Sequence, residues 1–225
     1  MKSKGIMTTE NTTKDFIPQL SFVMVVHNQG EMLEHNLPLY LSQPCQMTYE
    51  VIVVDDTSTD NTSDVLKQLK EEYPNLYTTF MPVSVTNPSR LRLAMTIGIK
   101  AAKGEWIVLA DIQRPPTSPE WIDGLVDNDA ETIMVYSSRK HPEIVRYQTW
   151  EQLDEAIPLL RKAERRSARG HYGKWQKTRR GLYDAVSVRK DRVFDAIRYY
   201  DQIVRGRKLA GLRLHVIWKT LTHQS

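Results

Sequence analysis

The sequence predicts an α/β fold with a mostly parallel sheet and helices on both of its faces. Short apolar runs alternate with amphipathic helical stretches as far as Tyr136, an order typical of parallel β-α units. Val51 to Val54 are four consecutive β-branched residues, typical of a strand buried on both faces. Polar turns follow the apolar runs directly. Because ligands of open α/β sheets bind beyond the carboxyl ends of strands, we expect a binding site at that edge.

Four strands are predicted in the first half of the chain, each a short apolar run: Leu20–Val26, Val51–Val54, Leu76–Met81 and Trp106–Ala110. Helices are predicted between them: over 31–42, between the hydroxyl-rich cap at 57–61 and Pro74, and between Asn87 and Gly104. Asp55 and Asp56 stand at the end of the second strand, and Asp111 follows the fourth. Three carboxylates therefore gather at the predicted binding edge.

The second half of the chain is more polar and more basic than the first. The stretch over 141–176 is helix-prone, and its apolar residues fall at helical spacing: Trp150, Leu153, Ile157 and Leu160. The remaining predicted elements are a short helix from Pro119 to Leu125, strands at 132–136, 183–188 and 212–218, and a helix over 192–199. We interpret the part after Ser137 either as a lid or as an acceptor-binding elaboration at the edge of a rigid sheet.

Length and charge limit the domain organisation and the partners. The 225 residues fit one domain over 20–225, and the polar residues 1–19 are expected to form a flexible tail. The net charge of +4 comes from the segment 161–192, where twelve basic residues accompany three acidic ones. This basic segment suits phosphate, an acidic polymer or an anionic membrane surface, and a solvated helical face explains the same charges.

The cellular compartment is expected to be reducing. Cys45 is the single cysteine, so no intramolecular disulfide can form, and no Cys/His spacing resembles a zinc site. The first nineteen residues lack the apolar core of a signal peptide, and no apolar run approaches the roughly eighteen residues that span a bilayer. We therefore expect a cytoplasmic protein, with peripheral contact to the inner membrane face through the basic segment.

Three motifs, in order, resemble those of family 2 glycosyltransferases, which have the GT-A fold. SFVMVVHNQGEMLEHNLPLYLSQ is similar to the opening strand and Asn-containing turn of the family, and EVIVVDDTSTDNT to its second strand and acidic turn. IGIKAAKGEWIVLAD is similar to the helix, glycine-glutamate turn and strand that precede the metal motif. The resemblance implies a nucleotide-sugar-binding half over 20–121 and an acceptor-side half over 122–225.

The resemblance also implies a set of nucleotide-binding residues. Asp56 would accept a hydrogen bond from the base, commonly uracil, and Arg90 and Asp111 would lie near the rest of the nucleotide. Three turn residues after the first strand would line the same site: Val26, His27 and Asn28. A helix or turn cap is the alternative role for Asp56 and for Asp111.

A divalent cation, Mg or Mn, is the cofactor that the resemblance implies, with Asp111 and Gln113 as its ligands. Relatives carry an aspartate where this chain has Gln113, and a neutral amide oxygen supplies no charge, so metal affinity should fall. The chain lacks the Glu-Asp pair from which relatives draw the catalytic base. Asp201 is the nearest counterpart, and its alternative role is an ion pair with Arg198 or Arg205 on an exposed helix.

Two function classes remain open on the sequence. The first is a transferase that moves a sugar from a UDP-linked or related nucleotide-diphospho-sugar to a carbohydrate or lipid-linked acceptor, with inversion, as in polysaccharide biosynthesis. The second is a degenerate relative that binds a nucleotide or an anionic polymer without turnover, which Gln113 motivates. Nucleic acid is not an expected partner, since no recognised binding motif accompanies the basic segment.

Overall fold

The computed structural model describes residues 17–82, 90–116, 121–137, 143–169 and 183–204. Seven strands lie in these ranges: β1 Leu20–Val26, β2 Tyr49–Asp55, β3 Leu76–Phe80, β4 Trp106–Ala110, β5 Ile133–Ser137, β6 Glu143–Tyr147 and β7 Ala185–Arg189. The helices are α1 Gly30–Leu41, α2 Thr62–Glu72, α3 Arg90–Ala101, α4 Trp150–Arg169 and α5 Val193–Ile203, with single 3-10 turns at Asp123–Leu125 and Lys190–Arg192.

The strands form one mixed sheet in the order β3-β2-β1-β4-β7-β5-β6. Strands β3, β2, β1 and β4 pair in parallel, whereas β7 lies antiparallel to both β4 and β5, and β6 lies antiparallel to β5. Five of these seven strands therefore run in the same direction. The predicted α/β fold class is confirmed.

Side-chain alternation along β1 divides the core into two layers. Phe22 and Met24 pack with α1 and α2 on one face of the sheet, while Val23 packs with α3, α4 and α5 on the other. Burial of both faces explains why β1, β2 and β4 are apolar at nearly every position. Helices cover both faces, as the sequence predicts.

The predicted strand bounds agree best with the structure in the first half of the chain, where β1 and β4 begin and end at the predicted residues. The interpretation of 141–176 as helix-prone is wrong at its start, because Glu143–Tyr147 forms the edge strand β6. Its residues are at most partly buried, and Glu143 and Arg146 are exposed, so its sequence lacks the apolar run of an inner strand. The predicted strand at 212–218 lies outside the described residues.

The amino edge of the sheet is closed by the turn after α3. The amide of Gly104 donates to Ser21 Oγ (2.8 Å), and Ser21 Oγ in turn donates to the carboxylate of Glu50 (2.6 Å). A Cβ atom at position 104 would lie 2.7 Å from the backbone nitrogen of Ser21, so only glycine fits there. Residues 1–16 of the predicted tail lie outside the described residues, and Gln19 already donates to Thr48 (2.8 Å).

Candidate active site

Two turns meet where β1 and β2 end, at the carboxyl edge of the sheet. Val26 pairs with Asp55, and the amide of Asp56 donates to the carbonyl of Val26 (2.8 Å). We call residues 27–30 and 56–62 the paired turns. They leave adjacent parallel strands at the same level, so their side chains are brought together by the register of the sheet.

Carboxylates hold the paired turns in place. Asp55 accepts hydrogen bonds from the amide (3.0 Å) and the hydroxyl (2.5 Å) of Ser58, so this aspartate supports the turn. Asp60 accepts from the amides of Gly30 (3.1 Å) and Thr62 (3.0 Å) and thereby links the starts of α1 and α2. Hydrogen bonds from Thr62 and from the Gly30 amide hold the pKa of Asp60 below its ordinary value.

His27 and Asn28 complete the link from the β1 side. Asn28 has a φ of 50°, a conformation that asparagine tolerates better than most residues, and its side-chain oxygen accepts from the amide of Thr59 (2.7 Å). The Nδ1 atom of His27 lies 2.7 Å from the carbonyl oxygen of Asp56. A carbonyl oxygen only accepts hydrogen bonds, so Nδ1 carries a proton in this contact.

Asp56 forms an ion pair with Arg90, the first residue of α3. Arg90 donates to Asp56 Oδ1 from Nε (3.1 Å) and from Nη2, and Nη2 also donates to Thr57 Oγ1 (3.2 Å). The side chain of Asp56 is 17% exposed and that of Arg90 is 32% exposed. Both hydrogen bonds from Arg90 reach Asp56 Oδ1, and among the described residues no donor contacts Asp56 Oδ2.

Thr57 has a φ of 57°, which is unfavourable for a β-branched residue. Its hydroxyl donates to the carbonyl of Asp56 (2.7 Å) as well as accepting from Arg90, and these bonds hold the conformation. Backbone strain of this kind clusters at ligand sites, because the surrounding structure must over-determine it. The strained residue follows Asp56 directly.

A third turn, residues 111–114, follows β4, and we call it the Asp111 turn. The amide of Arg114 donates to the carbonyl of Asp111 (2.9 Å), and the amide of Gln113 donates to Asp111 Oδ1 (3.1 Å). The side chain of Asp111 is half-buried and that of Gln113 is exposed. Because β1 separates β2 from β4, this turn lies two strand spacings, or about 10 Å, from the end of β2.

Distant parts of the chain anchor the Asp111 turn. From α1, Tyr40 Oη donates to the carbonyls of Asp111 (3.1 Å) and Arg114 (2.6 Å), and Asn36 Nδ2 donates to the carbonyl of Ile112 (2.9 Å). Burial, and then the negative charges of Asp111 and Asp184, raise the pKa of Tyr40 well above its ordinary value. The phenol therefore stays protonated and remains a donor.

The second half of the chain contacts the same turn. Arg114 Nη1 lies 3.3 Å from the carboxylate of Asp184, whose side chain is 8% exposed, and donates to the carbonyl of Tyr183 (2.9 Å). On the other face of the sheet, Tyr200 Oη of α5 donates to the carbonyl of Ala110 (2.9 Å). Through these contacts, β7 and α5 both approach the end of β4.

The predicted site residues fall into two groups in the structure. The paired turns and the start of α3 bring together Val26, His27, Asn28, Asp56 and Arg90, while Asp111 and Gln113 share the Asp111 turn. The side chain of Asp201 lies outside the described residues. Within the described ranges no three His, Cys, Asp or Glu side chains cluster as a metal site.

Four residues that the sequence did not single out support the site: Asn36, Tyr40, Arg114 and Asp184. Asn36 and Tyr40 are four residues apart on one helix, a spacing that places polar side chains on the same face. This spacing is the sequence feature that could have identified Asn36 and Tyr40. Nothing local in the sequence indicates the Arg114–Asp184 contact, which joins residues 70 positions apart.

The fold is a mixed α/β sheet of the GT-A type, with an acidic turn and a basic side chain at its carboxyl edge. The model of glycosyl transferase family 2 matches residues 21–187. The chain belongs to this family.

Several curated relatives share part of the sequence. The poly(ribitol-phosphate) beta-glucosyltransferase of Bacillus spizizenii is 34% identical over 94 residues, which are 41% of this chain and 14% of that protein. An uncharacterized glycosyltransferase of Synechocystis is 35% identical over 130 residues, 54% of this chain and 38% of the relative. The chain therefore spans well under half of the length of these relatives.

Solved structures give partial matches. A mannosyltransferase from Pyrobaculum calidifontis, solved with GDP-Man and Mn2+, superposes with a TM-score of 0.46 at 21% identity, over 56% of this chain and 37% of the other. Glucosyl-3-phosphoglycerate synthase from Mycobacterium tuberculosis, solved with phosphoglyceric acid, gives a TM-score of 0.47 at 18% identity, over 77% and 57% of the two chains.

Proposed function

We propose that the chain is the catalytic domain of a glycosyltransferase that takes a sugar from a UDP-linked donor and transfers it, with inversion, to a carbohydrate or lipid-linked acceptor. The observation that carries this proposal is the Asp56–Arg90 pair on the paired turns. Membership of glycosyl transferase family 2 supports the reaction class. The B. spizizenii relative supports it as well, because its name describes glucosyl transfer.

Asp56 is the proposed anchor for the nucleobase. Uracil carries one imide N–H, which requires an acceptor, and Asp56 Oδ2 is an oxygen that no described donor contacts. Arg90 holds the other oxygen and orients the carboxylate. His27 and Asn28 lie on the adjacent turn and would line the same base and ribose.

The Asp111 turn is proposed to face the diphosphate. Asp111 offers one carboxylate and Gln113 one neutral amide, and both are oxygen ligands of the kind that Mg2+ and Mn2+ accept together with substrate phosphates. A divalent cation held by Asp111 and Gln113 would supply positive charge to the departing diphosphate. With one anionic ligand in place of two, we expect weak cation binding.

Asp201 is the proposed general base. Inverting transfer requires a group that takes the proton of the acceptor hydroxyl as its oxygen bonds to the anomeric carbon and the bond to the diphosphate breaks. The neighbouring Tyr200 bonds to Ala110, one residue before Asp111, so the backbone of α5 approaches the end of β4. This proximity of the backbones supports the assignment.

The test is calorimetry of UDP with Asp56→Asn. The substitution replaces an ionised acceptor by an amide, and we expect UDP binding to weaken by about 1.5–3 kcal/mol, the scale of a hydrogen bond to a charged group. The matched control is Asp64→Asn, because Asp64 is an exposed carboxylate that pairs with Lys67 on α2 (3.4 Å). UDP binding by Asp56→Asn at wild-type affinity would remove Asp56 from the site.

A second candidate function is nucleotide binding without turnover, which the exposed amide of Gln113 favours. The two candidates differ in an assay that needs no acceptor. A transferase hydrolyses its donor slowly in water, whereas a binding protein releases the donor intact. Release of free sugar from a nucleotide-sugar that binds the protein, at a rate above that of the buffer, supports the transferase.

A further inference from the structure

We propose that Tyr40 and Asn36 are positioning residues, which hold the Asp111 turn in the conformation that receives the divalent cation and the donor diphosphate. The inference rests on the proposed function, because that proposal assigns the diphosphate contact to the Asp111 turn. Neither side chain is proposed to touch substrate. Both act on the backbone that carries Asp111 and Gln113.

The geometry is a clamp on backbone carbonyl groups. Tyr40 Oη lies 3.1 Å from the carbonyl oxygen of Asp111 and 2.6 Å from that of Arg114, so one phenolic proton lies between the first and last carbonyls of the turn. Asn36 Nδ2 donates to the carbonyl of Ile112 at 2.9 Å. Three of the four carbonyls in the turn therefore accept hydrogen bonds from one face of α1.

The clamp is rigid because the Tyr40 ring is fixed by its neighbours. The residue is 1% exposed, and its ring packs edge-on against Phe22 (centroids 5.9 Å apart) and Trp121 (5.8 Å). A ring packed in this way cannot follow the turn if the turn moves. The hydroxyl therefore fixes the turn to the core.

The conformation of the turn determines where the ligand oxygens lie. Asp111 Oδ1 accepts from the amide of Gln113 (3.1 Å), so rotation of the backbone between these residues would redirect the carboxylate as well. Groups that orient metal ligands typically change metal affinity or activity by about 10–100-fold when removed. A clamp on the backbone is expected to act in the same way.

Helix α1 also connects the two parts of the proposed site. Its first residue, Gly30, donates to Asp60 of the paired turns (3.1 Å), and its last turn carries Tyr40. Nucleotide binding at the paired turns does not require the clamp, because those turns are held by their own side chains. The clamp should therefore affect cation binding and leave metal-free nucleotide binding unchanged.

The experiment compares Tyr40→Phe with the wild type by electron paramagnetic resonance of Mn2+ in the presence of saturating UDP. The substitution removes only the hydroxyl, and we expect Mn2+ binding to weaken about tenfold. UDP affinity measured by calorimetry in EDTA should stay within about twofold of the wild type. The matched control is Tyr49→Phe, which removes a phenol that donates to the carbonyl of Leu41 (2.8 Å), the last residue of the same helix; its Mn2+ affinity should not change.

Asn36→Ala is the second variant and serves if Tyr40→Phe does not fold. Asn36 is only half-buried and alanine favours the helix, so the variant should fold and weaken Mn2+ binding about threefold, less than the loss of the phenol. Wild-type Mn2+ affinity in both variants, or in Asn36→Ala alone if the other does not fold, overturns the positioning role and leaves the proposed function intact. A wild-type protein that binds UDP but no Mn2+ contradicts both proposals.

Discussion

The paired turns and the Asp111 turn lie at the same edge of the sheet, yet they are stabilised in opposite ways. The paired turns are held mainly by local side chains: Asp60 and Asn28 in the turns and Asp55 at the end of β2 each accept from amides of these turns or of the helices that begin there. Arg90 of α3 adds hydrogen bonds to Asp56 and Thr57. The Asp111 turn is held from outside, by Tyr40 of α1 and by the contact of Arg114 with Asp184. One part of the site is self-supporting and the other depends on the rest of the fold.

This difference has a functional consequence under the proposed assignment. A self-supporting pocket keeps its shape without a ligand, so ordering the pocket costs little free energy when the nucleotide binds. A turn clamped between α1 and β7 joins the donor side of the molecule to the acceptor side, because β7 belongs to the second half of the chain. The Asp111 turn is therefore the part of the site through which the two halves can affect one another.

The largest expected effect is that of Asp201→Asn, because the proposal assigns the general base to Asp201, which lies outside both turns. The variant keeps the shape of the side chain and removes its basicity, so turnover should fall by about 10²–10⁴ while donor affinity is retained. Transfer assays at saturating donor, paired with UDP calorimetry, measure the two quantities. Turnover equal to that of the wild type would end the assignment of Asp201.

The self-supporting character of the paired turns predicts a loss of stability when Asn28 is truncated. Asn28→Ala removes the acceptor for the Thr59 amide and places alanine at a φ of 50°, so the free energy of unfolding should fall by about 1–2 kcal/mol. Gln113→Ala, in the exposed turn, should change it by less than about 0.5 kcal/mol. Urea denaturation tests the contrast, and equal losses in the two variants would contradict it.

A smaller effect is expected when the anionic ligand is restored. Gln113→Asp adds a second carboxylate to the Asp111 turn, and the attraction of a hard cation to an anionic oxygen should tighten Mn2+ binding by roughly tenfold. The Mn2+ activation curve of donor hydrolysis measures the shift, with Gln113→Glu as the control for chain length. An unmoved curve would show that position 113 does not face the cation.

The same contrast explains which features were predictable from the sequence. Asp55, Asp56 and Asn28 lie next to buried strands, and the hydrogen bonds of the paired turns join residues within one short motif or across one pair of adjacent strands. The bonds from α1 to the Asp111 turn join residues 71 to 76 positions apart, so no local pattern announces them. The strand β6 was missed for a related reason, because an edge strand with charged residues shows little apolar periodicity.

No helix in the described ranges is both long enough and apolar enough to cross a membrane. Residues 170–182 of the basic segment lie outside the described residues, and the side chains at 162–169 are not described either, so the predicted membrane contact stays a prediction. Of its members, Arg189 pairs with Glu105 and Arg192 with Glu131 (3.1 Å). These two arginines are therefore engaged in ion pairs with the domain itself.

The central claim is that the paired turns bind the nucleotide by themselves and that the Asp111 turn contributes through the cation. The most direct measurement is UDP calorimetry on Asp56→Asn and Asp111→Asn, each in EDTA and in Mn2+. The account predicts that Asp56→Asn loses about tenfold or more in UDP affinity under both conditions. It predicts that Asp111→Asn matches the wild type in EDTA and loses most of the gain that Mn2+ provides. A loss in Asp111→Asn that is equally large in EDTA and in Mn2+ would contradict the account.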